Sequence, residues 1–166
     1  LPVTNQNDSP TGSVTISGTA AEDQTLTALS TLADPDGLGV LSYQWKADGA
    51  DISNATNSTL TLSQNEVGKA ITVTLSYTDG GGTLESVTSA ASSAVTNVDD
   101  APTGSVTISG TVAEDHTLTL SSTVTDEDGI DASTVSYQWY RDSSAISDAT
   151  STSYTLRQDD VGAVIT

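Results

Sequence analysis

Residues 97–111 read Asn97-Val98-Asp99-Asp100-Ala101-Pro102-Thr103-Gly104-Ser105-Val106-Thr107-Ile108-Ser109-Gly110-Thr111, and from Pro102 onward the chain begins again. The ten residues Pro10-Thr11-Gly12-Ser13-Val14-Thr15-Ile16-Ser17-Gly18-Thr19 are the same as Pro102–Thr111, at an offset of 92 (102 − 10). Self-similarity at a period of this size marks a domain copied in tandem, and the period suits a small β-sandwich. The stretch before Pro102 is therefore a joint between copies.

Working outward, a worn joint, Asn5-Gln6-Asn7-Asp8-Ser9, precedes Pro10, and Val3-Thr4-Asn5 repeats Val95-Thr96-Asn97. Residues 1–9 read as the end of a preceding repeat with its linker, 10–98 as the first repeat, 99–101 as a linker and 102–166 as a second, truncated repeat. Tyr137-Gln138-Trp139 follows Tyr43-Gln44-Trp45 by 94 rather than 92, which places a two-residue insertion between Gly129 and Ser136. At the offset of 94, Thr166 aligns with Thr72. Most of the sixth strand and all of the seventh are then expected to be missing from the second copy, leaving an open edge able to exchange strands with another copy of the chain. Leu1–Asn5, a stranded piece of a last strand, is the natural donor.

Inside a repeat the hydrophobic period is two throughout. Val14 and Ile16 alternate with Ser and Thr; Ile71, Val73, Leu75 and Tyr77 do the same over a longer run. Strands are expected at 13–18, 25–31, 41–46, 59–63, 70–78 and 84–96, with turns at Asp34-Pro35-Asp36-Gly37 and Gly80-Gly81-Gly82. No helical period occurs. The fold class is all-β, tandem immunoglobulin-like Greek-key sandwiches with the second copy incomplete. With no Phe, Met or Cys, the core must be built from aliphatic residues, two Trp and five Tyr, a modest supply.

The formal charge is −18, from 22 acidic residues against Lys46, Lys69, Arg141 and Arg157. A nucleic-acid partner is disfavoured, because a binder must bring cations to phosphate. No apolar run is long enough to span a bilayer. His116 is the only histidine and stands where the first copy has Gln24, so no Ser-His-Asp or Cys-His arrangement can be assembled around it. No catalytic residues are expected, and Gly80-Gly81-Gly82 joins two strands rather than cradling phosphate. Trp45 and Trp139 sit on a strand position that favours the core over a sugar-stacking platform. Tyr140, replacing Lys46, is the better candidate for exposed aromatic surface.

The acids cluster at turns. In a seven-strand sandwich the turns alternate between two poles. Glu22 and Asp23, after the first strand, are expected beside the joint; Asp126, Glu127 and Asp128, after the second strand of the next copy, face it from the other side. Asp99 and Asp100 lie between. Asp8, Asp34 and Asp36 make the equivalent set at the upstream joint. Convergent carboxylates repel one another unless a cation intervenes. Ca2+ accepts six to eight oxygens at about 2.3–2.6 Å in a flexible mixture of carboxylate and carbonyl, which suits such a set better than the strict octahedron of Mg2+. An EF-hand is excluded, since Leu38 stands where its third ligand belongs and Trp45 where its final Glu belongs. Asp48, Asp51, Glu85 and Asp148 read as solvated surface.

Tyr-Gln-Trp, followed by Asp, Ile, Ala-Thr, Thr-Leu and Val67-Gly68 or Val161-Gly162, resembles the immunoglobulin-like repeats of giant bacterial surface adhesins exported by type I secretion, the RTX adhesins. The resemblance covers nearly the whole chain. Asp99-Asp100-Ala101-Pro102 also resembles the acidic linker of cadherin-type domains. It implies an extracellular, cell-surface, non-catalytic extender whose joints are stiffened by Ca2+ and whose partners are neighbouring repeats of the same chain. The other reading is a carbohydrate- or surface-ligand-binding module of the same fold.

Overall fold

Val14 and Ile16 alternate with small polar residues, and the strand they form lays that pattern across a sheet face. β1 (Val14–Ser17) pairs antiparallel with β2 (Thr25–Ser30), Val14 opposite Ser30 and Ser17 opposite Thr27. A computed structural model describes every residue from Leu1 to Thr166, and the chain divides into two units, Leu1–Val98 and Asp99–Thr166.

The first unit adds β3 (Ser42–Ala47), β4 (Ala50–Asp51), β5 (Thr59–Thr61), β6 (Ile71–Thr78) and β7 (Leu84–Thr88). Its two sheets run β1-β2-β5 and β4-β3-β6-β7, all antiparallel, the strand order of an immunoglobulin-like sandwich. The protein is all-β, with only short 3₁₀ turns besides. Trp45 on β3 is wholly buried against Leu26, Leu62, Ile71, Val73 and Leu75, and its indole N–H donates to the Asn57 carbonyl at 2.9 Å. Both tryptophans therefore belong to cores, Trp139 donating in the same way to the Ser151 carbonyl at 2.8 Å. Gly12 sits at φ +92, where a Cβ would fall 2.2 Å from the Thr31 carbonyl oxygen; Gly104 repeats this at φ +103 and 2.3 Å from Thr123. Only glycine permits that approach.

Two elements differ from the sequence expectation. Asp48 and Gly49 both take positive φ, forming a tight turn that folds Ala50–Asp51 back onto Lys46–Ala47 as β4. Two residues offer no periodicity to read. The long strand expected over 84–96 stops at Thr88. Beyond it the hydroxyls of Ser89 and Ser92 accept the N–H groups of Val73 and Ile71, at 3.1 and 2.9 Å, where backbone carbonyls would otherwise serve. The chain bulges between these serines and then crosses to the other sheet, where Thr96 bridges Ala21 and Val95 bridges Val67, both parallel.

The second unit contains β8 (Val106–Ser109), β9 (Thr117–Ser122), β10 (Tyr140–Arg141), β11 (Ser144–Ala145) and β12 (Ser153–Thr155), ordered β8-β9-β12 and β10-β11. Tyr137–Trp139, expected in the third strand, are outside any strand. Their counterparts Tyr43–Trp45 pair with Leu75–Val73 in the first unit, and in the second unit Tyr140 and Thr166 exchange backbone hydrogen bonds. Val106 is 55% exposed where its equivalent Val14 is 4% exposed. An apolar groove of about 720 Å³ runs along Val106, Ile108, Leu120, Ile130, Tyr137 and Trp139.

The two cores are also wired differently. In the first unit Ser63 caps a 3₁₀ turn, its N–H and hydroxyl both donating to buried Glu66. In the second, Asp160 replaces Glu66 and receives the Tyr154 hydroxyl at 2.8 Å, the Arg157 N–H at 2.8 Å and the Arg141 guanidinium at 2.7 Å. Tyr154 stands where the first copy has Leu60, and Arg141 where it has Ala47. The shorter acid leaves space that the phenol and guanidinium fill. Trp139 packs against Tyr154 with ring centroids 5.8 Å apart.

Candidate acidic sites at the repeat ends

Asp34-Pro35-Asp36-Gly37 forms a self-supporting turn after β2. The Asp34 carboxylate accepts the Asp36 N–H at 2.9 Å and the Asp34 carbonyl accepts the Gly37 N–H at 3.0 Å. The Gly80 N–H donates to the Asp36 carbonyl, tying this turn to the one between β6 and β7. Tyr77, buried on β6, donates its hydroxyl to Asp34 Oδ2 at 2.5 Å. Burial pushes that phenol well above its ordinary range, reinforced by the hydrogen bond to Asp34 and the negative charges of Asp34, Glu85 and Asp79.

Asp79 ends β6 with 6% of its surface exposed. Its Oδ1 accepts the Thr83 N–H at 2.7 Å, while its buried Oδ2 has no hydrogen-bond partner. A buried carboxylate oxygen in that condition calls for a cation or an ordered water. The linker lies on the same end of the unit. Asp8 donates its N–H to Asp36 Oδ2 at 2.6 Å and Asn5 its amide to Asp36 Oδ1 at 2.8 Å. Asn7 reaches Glu85 at 2.8 Å. The Asp8 N–H, and after it the Asn5 amide, hold the Asp36 carboxyl below the usual carboxylate range.

At the other end of the first unit, Glu22 is 2% exposed. Its N–H donates to the Thr96 carbonyl at 2.9 Å, and its carboxylate accepts the Val98 N–H at 3.2 Å, where the chain leaves the sandwich. Asp23 is exposed at φ +61, and its N–H bonds the Leu62 carbonyl at 3.1 Å, so its backbone builds the turn.

The second unit repeats the first turn. Asp126 Oδ1 accepts the Asp128 N–H at 3.0 Å, and Asp128 Oδ2 accepts the Asp100 N–H at 2.7 Å, the counterpart of the Asp8–Asp36 bond. Asp100, Asp126 and Glu127 line one small pocket of about 220 Å³ with Ala101, Thr103 and Thr125. Asp99 is exposed.

Of the acids anticipated from sequence, Asp34 and Asp36 thus share one end of the first unit, with Asp8 bound to Asp36 through its backbone. Asp100, Asp126 and Asp128 share one end of the second. Asp79 was missed. Its signal was available, since the turn between the sixth and seventh strands shares a pole with the Asp34 turn, and Asp79 opens that turn immediately before the three glycines. Asp48, read as solvated surface, is exposed, and its carboxylate also accepts the Ala70 N–H at 2.9 Å; Asp142 does the same for Val164. Asp51 pairs with Lys46. His116 is exposed, its ring nitrogen 3.1 Å from the Glu114 carbonyl. Compared with known proteins, the chain matches no protein-family model and no curated protein.

Proposed function

We propose that this chain is a stretch of non-catalytic extender from a bacterial cell-surface adhesin, built of tandem immunoglobulin-like repeats whose joints bind Ca2+ outside the cell. The candidate cation ligands are Glu22 where the first repeat ends and Asp100 with Glu127 where the second begins, the latter two lining one small pocket. Asp126 and Asp128 support the set, and Asp34, Asp36 and Asp79 serve the upstream joint. The observation that carries this reading is the linker grip made twice, Asp8 N–H on Asp36 at 2.6 Å and Asp100 N–H on Asp128 at 2.7 Å. A linker held by carboxylates brings its own acids toward theirs, and Ca2+ offsets the resulting repulsion while leaving room for carbonyl ligands. The buried Asp79 oxygen supports the same chemistry. A sugar-stacking platform gains no support from Trp45 or Trp139, both of which are core residues.

At an extracellular-class dissociation constant of roughly 10⁻⁴ M, about 1 mM Ca2+ stabilises the folded state by about 1.4 kcal/mol per site. Calorimetric titration of metal-free protein should show binding in that range, and the thermal midpoint should rise relative to chelator. Neither binding heat nor a midpoint shift, in a sample verified free of metal, would sink the proposal. Asp99→Asn with Asp100→Asn should weaken binding while leaving each sandwich folded.

A further inference from the structure

β1 ends its sheet in the first unit, and its pairing to β2 fixes which way its backbone groups face. The Ser13 carbonyl accepts the Thr31 N–H at 3.0 Å, and bonded pairs alternate along an antiparallel ladder, so Thr15 and Ser17 turn their N–H and C=O groups toward β2. Val14 and Ile16 turn theirs away. Ala28, opposite Ile16, sends its own N–H in the other direction, to the Ser58 carbonyl at 2.8 Å. Beside this free edge lies a slot of about 350 Å³, whose far wall is Ala90–Ser93, the bulged stretch after β7. The Val14 side chain is buried in its own core, and Thr15 is exposed.

Sheet edges are ordinarily shielded by shortness or by charge. β4 is two residues long and carries Asp51, β5 has three residues, and β7 carries Glu85. The β1 edge has no charge to shield it. Residues 9–21 and 86–98, which supply the two walls of the slot, contain no charged side chain, in a chain of net charge −18. Two copies of an acidic protein can approach there without repulsion.

We propose that two copies of this chain pair β1 against β1, antiparallel about a twofold axis at Thr15, joining their two β1-β2-β5 sheets edge to edge. Val14 and the second copy's Ile16 exchange both N–H···O=C bonds, and by symmetry Ile16 and the second copy's Val14 do the same, so the backbone groups that β2 leaves free are used. Thr15 meets its own equivalent across the axis on the outer face. In this register Gly12 falls opposite Gly18 at each end, where no side chain obstructs the approach. The interface is isologous and closes as a dimer. Backbone bonds carry it with little apolar area, so it is weak between isolated molecules and gains strength where several such edges lie side by side.

Hydrogen exchange read amide by amide on the whole chain tests this. Between about 10 µM and about 1 mM protein the Val14 and Ile16 amides should slow at least about tenfold, whereas those of Thr15 and Ser17, already bonded to β2, should not change. Thr15→Lys sets like charges against each other on the axis at an exposed position and should abolish the concentration dependence, as should Thr15→Glu. An equimolar mixture of the two variants should restore it. The Trp45 amide, deep in the core, reports that each variant is folded. Val14 and Ile16 amides that exchange equally fast at both concentrations, slowing that persists in Thr15→Lys alone, or a mixture that behaves as its components do would each overturn the proposal.

Discussion

Replacing Asp79 by asparagine should act in opposite directions with and without Ca2+. In chelator the buried, unpaired carboxylate oxygen is a cost, so Asp79→Asn should raise the midpoint of the first unit, by about 1–3 kcal/mol of stability. In Ca2+ the variant should gain less than the native protein does. Paired thermal scans read both signs, and a variant that is less stable in chelator would assign Asp79 a purely structural role. Asp160 gives a second test through pH. Burial alone would raise its pKa, but the Arg157 N–H, the Tyr154 hydroxyl and Arg141 together hold it below the ordinary value. A lowered folded-state pKa contributes stability that is present above the unfolded value near 4 and is lost as pH falls below it. Acid unfolding of the second unit should therefore steepen below about pH 4, and Asp160→Asn should flatten that limb. At neutral pH the same change should cost about 1–3 kcal/mol by leaving the partly exposed guanidinium without its acceptor. At this scale Asp34 and Asp36 were legible because Asp-Pro-Asp-Gly names its own turn. Asp160 was not, because its ion pair joins Arg141 to a turn 19 residues away and no local pattern announces it.

β6 was readable in sequence because eight residues alternate cleanly, with Ile71, Val73, Leu75 and Tyr77 all buried. Its neighbour was readable only in part. Period two continues weakly from Leu84 to Val87, but small residues follow, and nothing in a run of serine and alanine says that two hydroxyls will stand in for carbonyls. Ser89→Ala should expose the consequence. It leaves the Val73 N–H without an acceptor in the core and should cost about 1–3 kcal/mol in urea unfolding of the first unit. Ser89→Thr, which keeps the hydroxyl, should recover part of the loss. If Ser89→Ala unfolds with the native midpoint, an alternative acceptor serves Val73.

The repeat was the most legible feature of the whole molecule, because identical decapeptides leave no choice of alignment and similar sequence builds the same β1-β2-β5 and β8-β9-β12 sheets. How well each copy packs was less legible. The core of the second unit rests on Leu118, Trp139, Ile146, Tyr154 and Leu156, against fourteen buried residues in the first. Hydrogen exchange should divide accordingly, with the Trp45 amide protected at least tenfold more than the Trp139 amide, since an open groove lowers the free energy of local opening. Equal protection would mean that the groove is filled in solution.

Neighbouring repeats of nearly the same sequence face a hazard during folding, because a strand from one can be drawn into its sibling. The rewiring around Asp160 works against that error. Placed in the first sandwich, β12 and its turn would bring Tyr154 and Asp160 to a site where Ala47 offers no guanidinium; β5 placed in the second would set Leu60 and Glu66 beside Arg141 with no phenol between them. The first hybrid costs buried Asp160 its guanidinium and the second leaves a gap where the phenol stood, so each copy carries a private code that lets near-identical siblings sort their own strands.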